Sequence, residues 1–284
     1  MRVIGYGIGA FLPFAVVLWL GRALPFWAAR RGRLGEPDAR GMAFVLGTLL
    51  GLLAGVGIAS YSEVAFSRLP LMTAAVALLL VLVIGLVGKY YLSLGTKAVA
   101  GLILLAGLVP AVAEIAERGS APAAVLAGIM VLVPVGISLA AYLVNQFESD
   151  GDIWMAALVM AALAGVAFLK GESTALFTLL AGFGAMVALL AYAKRQRAKS
   201  LIGDVGMFAL GALVAVAAIS GGFVIPAVII LVPYFLNLAL KASGRSLEQL
   251  VMRASGGSRH RMALILIGSE VVFGLIAVLV CVQG

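Results

Sequence analysis

Hydrophobic residues along the chain form long, nearly continuous runs separated by short polar segments. A bilayer core about 30 Å thick needs roughly 20 mainly apolar residues per helix, and runs of that order recur throughout the sequence. The pattern predicts an all-α polytopic membrane protein with one transmembrane domain, residues 1–284. Ten spans are predicted, near residues 3–21, 41–59, 70–88, 98–116, 123–143, 152–169, 173–193, 204–220, 222–240 and 263–282.

Composition agrees with this class. The 284 residues are 64% hydrophobic and only 11% charged, whereas a soluble domain carries roughly 25% charged residues. Ten helices leave too little chain for a separate soluble domain. The first run is too long for a signal peptide, and its charges follow it instead of preceding it, so we expect an uncleaved span.

The basic residues predict the orientation, because loops rich in Lys and Arg stay on the cytoplasmic side. With both termini outside, sixteen basic residues fall on the inner side and four on the outer side. The inner set is Arg22, Arg30, Arg31, Arg33, Arg40, Lys89, Lys97, Lys194, Arg195, Arg197, Lys199, Lys241, Arg245, Arg253, Arg259 and Arg261. The outer set is Arg2, Arg68, Arg118 and Lys170.

The net charge of +8 is therefore interpreted as an inner rim suited to anionic lipid heads or phosphorylated ligands. The alternation of aromatic and basic residues typical of nucleic-acid sites does not occur, and no nucleic-acid partner is expected. Cys281 is the single cysteine, which excludes an intrachain disulfide and a cysteine metal cluster.

The longer polar connections lie on the predicted inner face, so a binding or active surface is expected there. One of them ends at Asp204, between two glycines in IGDVGMFALG, residues 202–211. Two interpretations are open. Asp204 caps the helix that begins at Val205, because a carboxylate accepts free backbone N–H groups at a helix start, or it belongs to a metal or phosphate site.

The same segment resembles the F-x-G-D-x-G-S-x-x-L-G motif of the polyprenyl-phosphate sugar-1-phosphate transferases, the superfamily of the phospho-MurNAc-pentapeptide and GlcNAc-1-phosphate transferases. The resemblance implies ten helices with both ends outside and a site on the cytoplasmic loops. It also implies that Asp204 helps to hold Mg²⁺ beside a nucleotide-sugar diphosphate.

Three further segments resemble the superfamily in the same order. In LGEPDARGMAFVLGTLLGLL only Gly41 stands where the family has its P-T-x-G-G pair of glycines. LVIGLVGKYYLSLGTKAVAGLIL resembles the segment with adjacent aspartates, and LVNQFESDGDIWMAALVMAALAG resembles the N-x-x-D-G-x-D-G segment, with Asn145 kept.

Several acids and histidines of the family are missing. Gly88 and Lys89 stand where the resemblance implies two adjacent aspartates, and no acid occurs between Glu63 and Glu114. The histidine run before the last span is reduced to His260. Losing a charge-stabilising group commonly lowers a rate by about 10² to 10³, so ordinary catalysis is not expected.

Sugar-phosphate transfer joins two anionic groups, and Mg²⁺ bound by one or two carboxylates plus substrate phosphates would neutralise them. Asp204 could share such a site with an acidic cluster if the two loops meet. The candidate partners are Asn145, Glu148, Asp150 and Asp152. A solvated turn that caps the sixth span is the alternative for this cluster.

Two hypotheses concern Lys89. It could pair directly with Asp204 and convert a metal site into a structural ion pair. Alternatively, Lys89 and Lys97 could hold a lipid phosphate without metal, since lysine acts as a point charge for phosphate. The second hypothesis is slightly preferred.

Two polar residues lie inside predicted spans. An intramembrane acid is costly, so Glu270 in the tenth span is expected to be partnered or functional. Asn237 is expected to hydrogen-bond across helices. Prolines are expected to kink their spans, namely Pro110, Pro134, Pro226 and Pro233.

The sequence therefore predicts a catalytically degenerate homologue of the superfamily in the cytoplasmic membrane. It would bind a polyprenyl phosphate, another anionic lipid or a lipid-linked sugar, and act as regulator or scaffold in cell-envelope glycan biogenesis. Its protein partner would be a cell-envelope enzyme or a second copy of the chain. The alternatives are an active transferase that uses a UDP-sugar and a rearranged Mg²⁺ site, and a transporter of lipid or small solute.

Overall fold

Helices are the only regular elements in the parts of the chain that the computed structural model describes, residues 2–31, 36–61, 67–117, 121–146, 152–196 and 202–283. The first six helices are α1 (Arg2–Arg31), α2 (Glu36–Tyr61), α3 (Arg68–Leu86), α4 (Thr96–Glu117), α5 (Ala123–Val144) and α6 (Asp152–Leu169). The others are α7 (Ser173–Gln196), α8 (Gly203–Ser220), α9 (Val224–Ile230), α10 (Val232–Ala242), α11 (Leu247–Ala254) and α12 (Arg259–Gln283).

Seven of these helices are long and apolar enough to cross a membrane, and the bent pair α9–α10 would make an eighth span. Two further apolar stretches, Tyr6–Gly21 and Trp154–Leu169, are shorter. The chain is thus an all-helical, multi-pass membrane protein. The number of ten spans and the orientation of the termini stay predictions.

Helix α8 forms the centre of the bundle. Every residue from Val205 to Ala218 is buried, and the helix packs against α2, α3, α5 and α7. A helix that is apolar on all sides must be surrounded by other helices or by lipid. Small residues allow its neighbours to approach closely: a Cβ on Gly211 would lie 2.4 Å from the carbonyl oxygen of Ala140 on α5.

Helices α2 and α8 cross in close contact next to the candidate site. A Cβ on Gly41 would lie 2.2 Å from the carbonyl oxygen of Ile202 and 2.8 Å from the backbone nitrogen of Gly206. Side chains at these positions would force the helices apart, as close contact of membrane helices requires small residues. The polar residues that flank this crossing are consequently held near one another.

The predicted ninth span is not one straight helix. Helix α9 ends at Ile230, α10 begins at Val232, and the two axes differ by 53°. Pro233 lies in the first turn of α10, where its ring is tolerated but cannot continue the hydrogen-bond ladder of α9. The short helix α11 was not predicted. It begins with a capping box formed by Ser246 and Gln249, a polar signal that a search for apolar spans does not register.

We expect Gly41→Ala to destabilise the bundle, because the new methyl group would meet two backbone atoms that cannot rotate away, one on Ile202, which precedes α8, and one on Gly206 in α8. Overpacking of this kind costs about 1–3 kcal/mol. The midpoint of thermal unfolding in detergent should therefore fall by several degrees.

Gly57→Ala is the matched control on the same helix, because no atom lies within 4 Å of its Cβ position. It should leave the midpoint unchanged or raise it slightly, since alanine favours helix over glycine. Equal midpoints for the two variants would show that the crossing at Gly41 is not tight.

Candidate functional site

A π-helical turn over Val87–Tyr91 continues α3 and shapes the site. Such turns insert one residue into the helical ladder, which changes the direction of the side chains that follow, and they are frequent at functional sites. Here the turn allows two consecutive side chains, Lys89 and Tyr90, to reach the same carboxylate oxygen. Consecutive residues of a regular α-helix point about 100° apart and face each other poorly.

The ammonium group of Lys89 lies between two carboxylates. Its Nζ donates to Oδ2 of Asp204 at 2.7 Å and to Oδ2 of Asp38 at 2.9 Å. The hydroxyl of Tyr90 donates to the same Oδ2 of Asp38. We call Asp38, Lys89, Tyr90 and Asp204 the ion-pair cluster. It links α2, the end of α3 and the first turn of α8.

Asp38 is the most buried member of the cluster. Its side chain is 7% exposed, compared with 36% for Lys89 and 45% for Asp204. Gly203, which has a positive φ of 60°, packs directly on it, and a Cβ there would lie 2.4 Å from Oδ1 of Asp38. Only glycine fits both this backbone conformation and this contact.

Arg40 adds a second cation on the first turns of α2, and only 2% of it is exposed. The contacting residues Asp38, Lys89 and Asp204 carry a net charge of −1, and the four charges sum to zero when Arg40 is included. These residues therefore supply no excess positive charge for a phosphate.

Mg²⁺ does not fit between the two described carboxylates. It requires octahedral oxygen ligands about 2.0–2.1 Å away, and the Lys89 ammonium already contacts Oδ2 of both Asp38 and Asp204. The cluster instead has the form of the structural ion pair in the first hypothesis for Lys89. Asp204 also does not precede its helix: α8 begins one residue earlier, at Gly203, and the Asp204 charge lies in the first turn, where the helix dipole favours it.

The sequence missed three members of this region, namely Asp38, Arg40 and Tyr90. Asp38 and Arg40 lie close to Gly41 in the sequence, and this proximity could have identified them. Gly41 itself was considered only because it stands where the resembling superfamily has a glycine. Once Gly41 and Gly206 are known to touch, residues near both glycines must be close in space. Tyr90 had no comparable signal, because a π-helical turn leaves no clear mark on hydrophobic periodicity.

A second polar group lies at the same end of the bundle, where α5 ends. Asn145 is the C-terminal cap of α5 and is buried. The carbonyl oxygen of Gln146 accepts hydrogen bonds from Nδ2 of Asn237 at 3.2 Å and from Nζ of Lys241 at 2.5 Å. Asn237 also accepts from the backbone nitrogen of Leu247 at 2.9 Å. The expected hydrogen bonding of Asn237 across helices is present, and it fixes α10 and α11 to α5.

The side chains of the other predicted members of the acidic cluster are not among those that the structure describes. Glu148 and Asp150 lie outside the described residues, and only the backbone of Asp152, the first residue of α6, is described. Lys97 lies in the first turn of α4 and is exposed. Its predicted role in phosphate binding stays a prediction.

Glu270 lies near the middle of α12. It is 11 residues from Arg259 and 13 from Gln283, or about 17 and 20 Å along the helix axis at 1.5 Å per residue. Only 2% of it is exposed, and neither carboxyl oxygen has a hydrogen-bond partner among the described residues. One turn away, Gly274 packs on Ala162, so Glu270 faces α6, which has no polar side chain between Met155 and Leu169.

Comparison with known proteins provides no relative for this chain, since no family model matches it and no curated protein does. The function must be inferred from the residues themselves.

We expect Lys89→Met to destabilise the protein by roughly 2 kcal/mol, because it leaves the buried carboxylate of Asp38 without its cation. This lies between the ~3–5 kcal/mol for breaking a buried pair and the ~0–1 kcal/mol for a surface pair. Thermal unfolding in detergent measures the effect.

Lys97→Met is the control, because Lys97 is an exposed lysine eight positions further along the chain and surface changes usually stay within about 0.5 kcal/mol. A second variant, Lys89→Met with Asp38→Asn, should recover part of the lost stability, since it removes the unpaired charge. Equal stability of wild type and Lys89→Met would mean that the cluster does not hold the helices together.

Proposed function

We propose that the chain is a catalytically inactive homologue of the polyprenyl-phosphate sugar-1-phosphate transferases. It binds a polyprenyl phosphate or a lipid-linked sugar at the inner leaflet of the cytoplasmic membrane, and it acts as regulator or scaffold in cell-envelope glycan synthesis. In this proposal the chain has ten spans, with α9 and α10 forming one of them, and both termini lie outside.

The contact of Lys89 with Asp38 and Asp204 is the observation that supports the proposed loss of catalysis. In the superfamily that the sequence resembles, acids at the positions of Gly88, Lys89 and Asp204 would surround a metal ion. Here a covalently attached cation lies between the two carboxylates, and it brings no open coordination position with which to activate a phosphate.

The position of Gly88 supports the same conclusion. A Cβ on Gly88 would lie 2.9 Å from Cγ2 of Val99 on α4, so a side chain there would have to push that methyl group aside. The place where the first of the two family aspartates would project is therefore narrow.

Lipid binding is supported by the surface around the cluster. Lys97 lies in the first turn of α4, where backbone N–H groups and the helix dipole favour an anion. Arg253, Arg259 and Arg261 are exposed at or near the ends of α11 and α12. Helix α11 is short and amphipathic, which is typical of segments that lie in the headgroup region of a bilayer. With Lys89 occupied by two carboxylates, Lys97 is the stronger candidate for the lipid phosphate.

The proposal predicts lipid binding without turnover. Purified protein should retain polyprenyl phosphate, detected by mass spectrometry, yet show no Mg²⁺-dependent exchange between labelled uridine nucleotide and a polyprenyl diphosphate sugar. Lys97→Gln should lower the retention by about tenfold, the effect of losing one charge-assisted hydrogen bond.

Lys170→Gln serves as the control for retention, because Lys170 is an exposed lysine beside Gly222, at the end of α8 farthest from the cluster. Mg²⁺ should leave the unfolding midpoint of the wild type unchanged and raise that of Lys89→Asp, in which three carboxylates would meet. Exchange at the rate of an active transferase would overturn the proposal. It would favour a rearranged metal site that includes Asp204, Glu148, Asp150 and Asp152.

Transport of a lipid or small solute is a second candidate function, favoured by Glu270. Buried acids in membrane spans are costly, and they often mark ion or substrate pathways. The neighbouring pair α9–α10 is broken at Leu231, a feature that transporters use for substrate sites. The sequence offers no internal repeat in support.

Glu270→Leu separates these functions. If the acid has no transport role, the variant should gain about 1–3 kcal/mol of stability, because an unpaired carboxyl is replaced by an apolar group, and should keep its polyprenyl phosphate. Val272→Leu, a change at a lipid-exposed position of the same helix, is the control. Flux of lipid or solute in liposomes that is lost in Glu270→Gln would instead establish transport.

A further inference from the structure

A cavity of about 690 Å³ lies at the end of the bundle opposite the ion-pair cluster. Its lining includes Gly222 beyond the end of α8, Lys170 beyond the end of α6 and Cys281 near the end of α12. The volume falls within the range of about 300–1,000 Å³ that small-molecule sites occupy. Neither the ion-pair cluster nor Glu270 lines the cavity, which is therefore separate from both.

The cavity is open to the bilayer between α5 and α12. Both helices line it, and their described parts do not pack against each other. Leu132 on α5 and Ile225 on α9 lie in its wall and are 71% and 69% exposed. In a membrane these side chains contact lipid, so the cavity is a groove that a hydrocarbon chain can enter from the side without crossing a polar surface.

The groove extends along α5 to about the middle of that helix. Its wall on α5 is one helix face, with residues at the spacing i, i+3, i+4 and i+7, namely Ile129, Leu132, Val133 and Gly136. Gly136 is 13 residues after Ala123, the first residue of this 22-residue helix, and therefore about 20 Å along its axis. Half of a hydrocarbon core about 30 Å thick is about 15 Å. The groove thus reaches as far into the membrane as one leaflet does, and a chain that fills it belongs to a lipid of that leaflet.

Lys170 is the charged side chain that the groove offers to a lipid headgroup. It is exposed, and its Nζ donates to the carbonyl oxygen of Gly222 at 3.5 Å. An ammonium group has three N–H donors, so donors remain for a phosphate oxygen. Glu114, the other charged residue of the lining, already interacts with another residue of the chain, and the remaining lining residues are apolar or small. The lining therefore complements a phosphate that is attached to a hydrocarbon chain.

We propose that this groove binds one phospholipid of the adjoining leaflet. One acyl chain lies along α5 in the gap between α5 and α12, and a phosphate oxygen accepts a hydrogen bond from Nζ of Lys170. Burial of the chain is the main source of affinity, and the charge-assisted hydrogen bond adds to it. The ligand is thus recognised by its chain length and its phosphate. The site is separate from that of the proposed function and does not depend on it.

The chain contains its own probe for this site. Cys281 is the only cysteine of the sequence, it lines the groove, and it is partly exposed. Its rate of alkylation by N-ethylmaleimide in detergent should fall several-fold when phosphatidylglycerol with long acyl chains is added. The same headgroup on short chains should protect it little, because such chains do not reach Gly136. Diacylglycerol with the long chains lacks the phosphate, and it should need a concentration about tenfold higher for the same protection.

Lys170→Gln tests the contact with the phosphate. It should raise the concentration of long-chain phosphatidylglycerol needed for protection by about tenfold, to that of diacylglycerol, and it should leave the protection by diacylglycerol unchanged. Lys97→Gln is the control, because Lys97 is an exposed lysine at the opposite end of the bundle, and it should change neither concentration. These results are independent of whether polyprenyl phosphate is retained at that end.

A pair of glycines on α5 tests the deep part of the groove. Gly136 lines the groove and Gly128 does not, and no atom lies within 4 Å of the Cβ position of either one. Gly136→Leu should remove the protection by long-chain phosphatidylglycerol, because the new side chain takes the place of the acyl chain, while Gly128→Leu should behave as wild type.

Unchanged alkylation in long-chain phosphatidylglycerol, or equal protection by its short-chain form or by diacylglycerol, would overturn the proposal. Protection that appears without lipid and increases with protein concentration would also overturn it, and it would indicate that a second copy of the chain occupies the groove.

Discussion

The sharing of one ammonium group between Asp38 and Asp204 is the interaction on which this end of the bundle depends. The crossing of α2 and α8 at Gly41 and Gly206 holds these carboxylates on neighbouring helices, in partly buried positions where like charges repel strongly. A cation between the two carboxylates relieves this repulsion. The π-helical turn after α3 delivers it as the side chain of Lys89, with Tyr90 as a further donor.

A cation that is part of a side chain cannot do what a bound metal ion does. A metal ion exchanges ligands with water and substrate, so it can hold a phosphate in one state and release it in the next. The ammonium of Lys89 has three donors, two of which are used by carboxylates, and its stem ties it to α3. The position of this cation is therefore set by the packing of the helices and not by exchange with solvent or ligand.

Hydrophobic run length predicted the helices well, because the bilayer sets both their length and their composition. The ends of α5 and α6 were predicted to within one residue, whereas the bend at Leu231, the short helix α11 and the extension of α1 to Arg31 were not predicted. The site was harder to predict. Asp204 was found from its local motif. Asp38 is recognised as a site residue only through its contacts with residues at the end of α3 and the start of α8. The hydrophobic periodicity of one helix does not show which other helices pack against that helix. Glu148 and Asp150 lie outside the described residues, so the sequence remains the only source of information about them.

The two ends of the bundle also differ in what they leave open to a ligand. At the end of the bundle that carries the ion-pair cluster, the ammonium of Lys89 already contacts Oδ2 of both Asp38 and Asp204, while Oδ1 of Asp38 is buried without a hydrogen-bond partner among the described residues. At the opposite end Lys170 and Glu114 line a groove whose other lining residues are apolar or small. The described residues thus separate an ion-pair cluster at one end of the bundle from an open, mainly apolar groove at the other.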